Sequence, residues 1–337
     1  MKNSQEYKSD EELDLWFLEN LVCPIDKSRL SHQKKQLICS EHKHSYPIFK
    51  NIPIMLVKEI MPTHSGFFQR TWDIVNEKVD IETNLKNEAV NKNIDPYVQE
   101  VIAATNSNFY VNLIKKLKRY PIPNFPKVPA AGRLLLDIGC NWGRWCISAS
   151  KSGFDPIGID PILESILAAK RVAKQLNIKS KYLVADARYL PFRQNLFDYC
   201  YSYSVLQHFS KSDVKKVLPQ IKYVLKPRGI SQLQMLNKYG LRNLYIQMRR
   251  NFREPVEFET RYWSYNELLN VFEQNIGASR ILLGSFFTQA QITELDLFTL
   301  RNKLIFGISQ FFNNLSLKIP YLKKYGDNLF LISQKKI

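Results

Sequence analysis

Residues 134–145, LLLDIGCNWGRW, constrain this chain more than any other stretch. Three consecutive leucines read as a buried strand, Asp137 stands at its end, and Gly139 and Gly143 bracket a tight loop that opens into a helix near Trp142. Strand, glycine loop and helix start in that order suit a doubly wound α/β sheet, where the loop presents backbone N–H groups and a positive helix end to a ligand. A dinucleotide fingerprint, G-x-G-x-x-G, fails here, because Asn141 and Arg144 hold the places of its second and third glycines. Asn tolerates left-handed backbone, so the turn survives at Asn141.

The next segments follow in step. IGID ends at Asp160, 21 residues after Gly139, as a second buried strand whose carboxylate can accept both hydroxyls of a ribose. Apolar residues at Ile162, Ile166, Ala169, Val172, Ala173 and Leu176 have helical spacing. YLVADA gives a third strand ending at Asp186, with Ala187 next, and a fourth strand from Tyr199 runs off into Ser202, Tyr203 and on to His208 and Phe209. VLKPRG, Val224 to Gly229, forms a turn before a fifth strand. Singly, the two glycines read as structural and Asp160 as a helix cap. The joint pattern, acids at successive strand ends on one edge, reads as a ligand site.

These segments resemble the motifs of class I S-adenosylmethionine (SAM) methyltransferases. The family's usual acid and G-x-G-x-G is matched with Asn141 at the middle glycine, its FDxVxSxxVLxHF segment at Phe197, Asp198, Ser202, Val205, Leu206, His208 and Phe209, and its pre-strand turn with Arg228 at a usual glycine. The resemblance covers about residues 131–235, with GDNLFLISQKK as a closing strand. It implies an α/β, Rossmann-like seven-stranded sheet in the order 3-2-1-4-5-7-6. It also implies SAM as cofactor, held by Asp137, Gly139, Asn141, Gly143, Asp160, Asp186, Ala187 and Ser202. Asp186 would face the adenine amino group. His208, after the strand that faces the cofactor's methyl in related enzymes, is the candidate base, and Tyr203 the group that orients the acceptor. The structural reading of His208, a helix residue bonded to backbone, stands beside the catalytic one.

Residues 18–58 have another character. Cys23-x-x-Asp26 and Cys39-x-x-His42 are two knuckles of the kind a tetrahedral zinc site uses, with His44 as a spare ligand. The segment resembles the small zinc-ribbon subunit that activates tRNA, rRNA and protein methyltransferases, with Asp and His at two of its four ligand positions. A ribbon folded around its own Ile and Leu residues without metal is the other reading.

The chain divides into a polar tail (1–17), the ribbon-like module (18–58), a helical linker and cofactor cover (59–130) and the methyltransferase domain (131–337), whose residues 232–318 would form an acceptor lid. In the linker, ETNLKNEAVNKNIDPYVQEVIAA and SNFYVNLIKKLKRY read as helical, with a break at Asp95-Pro96, and PIPNFPKVPAAG as an extended connector. In the lid, Ser264-x-x-Glu267 is a capping box for NELLNVFEQ, and the helix from Leu297 through Phe312, apolar and basic, reads as core packing ahead of transient membrane contact. Arg261, Tyr262 and Trp263 read as lid packing ahead of acceptor contact.

The net charge of +17 attracts RNA, anionic lipid or an acidic substrate, but its clusters, Lys115 to Arg119 and Arg249, Arg250 and Arg253, are short. No RNA-recognition pattern accompanies them, so dispersed lysine is the favoured reading. The longest apolar run, LIFGISQFF, is too short to span a membrane, which argues against stable insertion. A polar amino terminus and five scattered cysteines point to the cytoplasm. The leading reading is methyl transfer to a small-molecule, saccharide or lipid-linked acceptor. The alternatives are an rRNA guanine methyltransferase and a non-catalytic binding protein, the last supported only by the departures at Asn141 and Arg228. Composition leaves the oligomeric state open.

Overall fold

The computed structural model describes residues 13–58, 60, 65–79 and 93–337. The first twelve residues of the polar tail and the whole of the polar stretch ETNLKNEAV lie outside the described residues, while Leu13 and Phe17, also assigned to the tail, are buried in the core. The chain opens with helix α1 (Leu15–Asn20), capped by the Asp14 carboxylate on the Trp16 N–H. Two hairpins follow, β1 (Leu30–Gln33) with β2 (Gln36–Cys39), and β3 (Ser45–Phe49) with β4 (Ile52–Met55). Lys50 and Asn51 both have positive φ, as a two-residue hairpin turn of right-handed twist demands.

Helices α2 (Ser65–Val75) and α3 (Pro96–Asn106) form the linker; Asp95 caps α3 and Pro96 sits in its first turn, where a missing N–H costs nothing. The expected helix over SNFYVNLIKKLKRY is only a short 3-10 segment, Asn108–Leu113. Ser107 (φ 153°) and Lys115 (φ 60°) break it, which lets Tyr110, Leu117 and Tyr120 all turn inward against Trp142.

Then come β5 (Leu134–Ile138), α4 (Arg144–Lys151), β6 (Asp155–Asp160), α5 (Leu163–Gln175), β7 (Lys181–Ala185), β8 (Phe197–Ser202), α6 (Lys211–Val224), β9 (Leu225–Leu236), α7 (Leu241–Arg249), α8 (Tyr265–Asn275), β10 (Gly277–Ser285), α9 (Leu300–Lys318) and β11 (Asn328–Lys335). The strands make one sheet ordered β1-β2-β3-β4-β7-β6-β5-β8-β9-β11-β10. Counted from β5 in chain order, the last seven positions read 3-2-1-4-5-7-6. Strands β7, β6, β5, β8 and β9 run parallel, while β11 is antiparallel to both its neighbours. Continuous apolar runs such as LLLDI fit strands covered on both faces, and only Leu134 of that strand is not fully buried.

The amino-terminal module is not a separate body. Strand β4 adds in parallel to the edge strand β7 (Ile54↔Val184, Met55↔Ala185), and the Val22 N–H donates to the Pro191 carbonyl at 2.9 Å. Phe17, Leu21, Cys23, Leu37 and Met55 share one core with Leu183, Leu190 and Phe192. Lys27 Nζ donates to the Leu190 carbonyl and to Gln220 Oε1, both at 2.8 Å. Among the described residues, no helix is long and apolar enough to cross a membrane.

Candidate cofactor and acceptor site

The loop after β5 turns as the sequence requires, but its N–H groups are not offered to a ligand. Gly139 and Cys140 both donate to the Ile159 carbonyl (2.8 and 2.9 Å), Asn141 N to Asp160 Oδ2 (3.0 Å) and Trp142 N to the side chain of Asn141 (2.8 Å). The neighbouring strand β6 therefore absorbs the donors that the sequence pattern assigned to an anion. Asn141 (φ 45°) takes the left-handed conformation in place of glycine, and Arg228 (φ 64°) does the same where β9 departs from regular pairing between Leu225 and Ile230, the segment expected as a turn before the strand. Both departures thus preserve the left-handed conformation, which removes the support for a degenerate fold. A Cβ on Gly139 (φ 73°) would lie 2.3 Å from Val205 Cγ2, so the side chain's absence lets Val205 reach the loop.

A cavity of about 320 Å³ opens at the carboxyl ends of the parallel strands. Gly139, Asn141, Asp160, Asp186, Ala187 and His208 line it. Both oxygens of Asp160 are held by backbone, Oδ1 by Ile162 N and Oδ2 by Asn141 N at 3.0 Å each, which fixes the carboxylate at the strand end. Burial outweighs those two bonds and pushes its carboxyl up to about 6. Asp186 is clasped by Arg188, whose Nη2 lies 2.6 Å from Oδ2.

Three expected cofactor residues are not among the lining residues. Asp137, one residue short of the strand end, is buried beneath the loop, where Cys146 Sγ donates to it at 3.3 Å. Gly143 caps α4 with φ 81° and is needed there because a Cβ would meet the Tyr182 hydroxyl at 2.6 Å. Ser202 is fully buried and donates to the Ile138 carbonyl at 3.0 Å, tying β8 to β5.

His208 lies at the cavity wall, its ring stacked on Phe258 with centroids 3.7 Å apart. Nδ1 is 2.7 Å from the Phe258 carbonyl, which can only accept, so Nδ1 carries the proton and Nε2 accepts from Gln207 at 3.2 Å. Tyr203 is half-buried between Trp145 and Phe330, with the Arg144 guanidinium over its ring at 5.2 Å. It borders both this cavity and a second chamber of about 1060 Å³. The two spaces share Ala104, Thr105, Tyr203, Ser204 and Gln207. Gln207 Oε1 is buried there without a hydrogen-bond partner. The chamber wall is rich in amides and cations: Asn106, Asn243 and Asn302, with Arg242 and Arg301.

In the amino-terminal module, Cys23, Asp26, Cys39 and His44 bring one donor atom each within 4.8 Å of one another. His44, not His42, completes the group. His44 starts the β3 side of the hairpin, its carbonyl accepting from Cys39 N at 2.9 Å, and its Nδ1 lies 3.4 Å from Cys23 Sγ. His42, at the exposed tip, reaches the Asp26 carboxylate from outside at 2.7 Å.

Residues 135–229 match the family model described as a methyltransferase domain, and residues 14–51 that of Trm112p-like protein. This chain carries a methyltransferase domain joined to a Trm112-like module. It is 32% identical over 108 residues to the ubiquinone biosynthesis O-methyltransferase of Nitrobacter winogradskyi, covering 32% of this chain and 40% of that one. To the enzyme of the same name in Bartonella bacilliformis it is 30% identical over 114 residues, 34% and 45% of the two chains. The match thus spans less than half the length of these curated relatives. Among solved structures, it aligns with the magnesium protoporphyrin IX methyltransferase of Synechocystis (12% identity, TM-score 0.43, 61% of this chain and 75% of that one). It also aligns with a complex of the Haloferax volcanii Trm112 methyltransferase activator and a methyltransferase (16%, 0.42, 62% and 84%).

Several residues of the methyltransferase domain's site were not legible in its motifs. Ala104 and Thr105, from the end of α3, wall both cavities, as a covering linker would, but nothing in their local sequence singles them out. Phe258 reaches the site through its pairing with His208, a tertiary contact across 50 residues of chain, and Gln207 stands next to His208 in sequence. In the lid, the capping box at Ser264 and Glu267 forms, and Trp263 is fully buried as packing. Arg261 is spent on the His208, Glu257 and Glu259 carbonyls.

Proposed function

We propose that the protein transfers a methyl group from SAM to a hydroxyl of a small-molecule, saccharide or lipid-linked acceptor. The observation that carries this reading is the pair of adjoining cavities, one acidic and apolar at the strand ends, the other polar and larger, meeting at Tyr203, Ser204 and Gln207. A site with Asp160 and Asp186 on its wall, and with its loop N–H groups already bonded, disfavours phosphate and suits a nucleoside that bears a positive centre. The unpartnered Oε1 of Gln207, a residue of the cavity wall, fits that group. The names of the curated relatives, O-methyltransferases, point the same way.

When bound, SAM supplies a methyl group already activated on a sulfonium. Asp160 would accept the ribose hydroxyls on its remaining lone pairs, and Asp186 would share its carboxylate between Arg188 and the adenine amino group. Gly139, Asn141 and Ala187 wall the cofactor, whereas Asp137, Gly143 and Ser202 act beneath it by fixing the loop and strands. Ala104 and Thr105 exclude water from the junction, which raises the effective concentration of an aligned acceptor. Tyr203 borders the acceptor side. His208 Nε2 is the basic nitrogen of its ring, and it takes the acceptor's proton once the Gln207 amide turns toward substrate. In the Trm112-like module, the sulfur, nitrogen and oxygen donors of Cys23, Asp26, Cys39 and His44 suit one zinc ion in a structural role. The five cysteines are buried and unbridged, in keeping with a reducing, cytoplasmic setting.

Calorimetry with S-adenosylhomocysteine tests the cofactor half, and a labelled-SAM screen of hydroxylated acceptors the rest. No product binding at neutral pH ends the reading. With turnover in hand, His208→Gln should cut kcat by roughly a hundredfold and leave product affinity in place; an unchanged pH–rate profile removes the base.

A further inference from the structure

Helices α7 and α9 are amphipathic the wrong way round. α9 buries Ser309 and Ser316 completely and turns outward Leu300, Leu304, Ile308 and Phe311, spaced four, four and three residues apart on one stripe. Leu300 is 84% exposed, Leu304 66% and Phe311 61%. Of its large apolar residues Phe306 is buried, Ile305 and Leu315 are half-buried and Phe312 packs on Phe286 and Phe287, so the core-packing expectation holds for one face of this helix and fails for the other. α7 repeats the inversion. It buries Asn243 and Gln247, which bond to carbonyls of Asn237, Asp327 and Lys238, and it exposes Leu241, Tyr245 and Met248, followed by Phe252. A helix in water turns its apolar stripe inward; two neighbours of one chamber that both do the reverse present a surface made for something other than water.

The charge around these stripes has one sign. From Phe298 to Gly326 there is no acid and there are five bases, Arg301, Lys303, Lys318, Lys323 and Lys324. From Asn237 to Arg253 there is again no acid and there are five bases, of which Arg250 and Arg253 are paired with Glu259. Both helices also wall the acceptor chamber, α7 through Arg242 and Tyr245 and α9 through Arg301 and Ile305.

We propose that α7 and α9 form a docking face for an anionic lipid surface, lying in the headgroup layer with their aliphatic and aromatic side chains inserted and their lysines and arginines against lipid phosphates. The arrangement is that of an interfacial helix, with apolar anchors flanked by cations and no spanning segment. Resting on the methyl-transfer reading, it makes the chamber one that opens toward the bilayer, suited to an acceptor headgroup carried on a lipid.

The test is co-sedimentation of the full chain with phosphatidylcholine vesicles, with and without about one-third phosphatidylglycerol. The proposal expects binding to the anionic vesicles alone, weakened by salt, and lowered about tenfold or more by Leu304→Glu with Phe311→Glu. Neither residue lines the smaller cavity or the chamber beside it, so calorimetric affinity for S-adenosylhomocysteine should stay at the parent value; it reports folding and tests the cofactor reading independently. No binding to anionic vesicles at low salt overturns the proposal. So does undiminished binding by a double variant that retains product affinity, or a lipid-free dimer that the double variant converts to monomers while vesicle binding is absent.

Discussion

Asp137→Asn separates the structure's account of the loop from the one its motif suggests. Burial pushes the Asp137 carboxyl from 3.8 to about 7, with the Cys146 thiol and the field of Arg144 only partly opposing it. Its folded-state value lies above its unfolded one, so the folded protein keeps a proton that the unfolded chain has lost, and stability falls as pH rises through that window. About three pKa units at roughly 1.4 kcal/mol each set an upper bound near 4 kcal/mol on the penalty above pH 7. At pH 5 somewhat less than half of it is already present, which leaves about 2–3 kcal/mol to appear between pH 5 and pH 8. Asparagine has the same shape, still accepts from Cys146, and carries no such slope. Urea unfolding of both proteins at the two pH values should show the variant gaining about 2–3 kcal/mol on the parent at the higher one. Taking the difference between the proteins cancels every other titrating group. Affinity for S-adenosylhomocysteine should change less than about threefold, because Asp137 is not among the cavity's lining residues. A variant that loses ground above pH 7 would mean a charged, stabilising carboxylate paired with Arg144, and a large loss of product affinity would return Asp137 to the binding surface.

Asp160 titrates in the same direction, to about 6, but on the cavity wall. Product affinity should therefore weaken up to about tenfold between pH 7 and pH 5, and Asp160→Asn should flatten that dependence while lowering affinity throughout. Purified protein should carry about one zinc by elemental analysis, lost in Cys39→Ser and His44→Ala and largely kept in His42→Ala, since His42 stands outside the four-donor group. Phe192→Ala, which empties a fully buried site between Trp16 and Phe197, should cost roughly 3–5 kcal/mol in denaturant unfolding, and a single coincident transition for module and domain is expected.

The sheet was legible because its strands announce themselves twice, as runs such as LLLDI and as acids at their ends. Asp160 and Asp186 line the cavity for that reason. Asp137 and Ser202 do not, because a strand's last residues alternate in facing, and one position decides whether a side chain meets the ligand or the layer below. Hydrogen-bond supply was equally hidden: no motif says that the Ile159 carbonyl will take two of the loop's donors. For the metal ligands, knuckle spacing chose His42, whereas the hairpin's pairing brings in His44. The lid helix read from Leu297 through Phe312 misled in part, for another reason. Periodicity locates an apolar stripe but assumes which way it faces, and in α7 and α9 buried amides and hydroxyls with backbone partners took the inner side.

The Trm112-like module reaches the cofactor cavity through the sheet itself. Strand β4 registers β7 through Ile54 and Met55, and β7 runs directly into Asp186 and Ala187 on the cavity wall. Three and four residues beyond Ala187, the Leu190 carbonyl is gripped by Lys27 and the Pro191 carbonyl by Val22. The segment from Ala185 to Pro191 is thus pinned at both ends by the module while its middle faces the cavity. A perturbation of the module, whether at Phe17, Leu37 or the Cys23, Asp26, Cys39 and His44 cluster, lies a few backbone hydrogen bonds from the Asp186 side of the site, whereas the larger chamber lies beyond it, past Tyr203. Damage to the module should therefore show first as weakened cofactor affinity and only afterwards as altered acceptor choice.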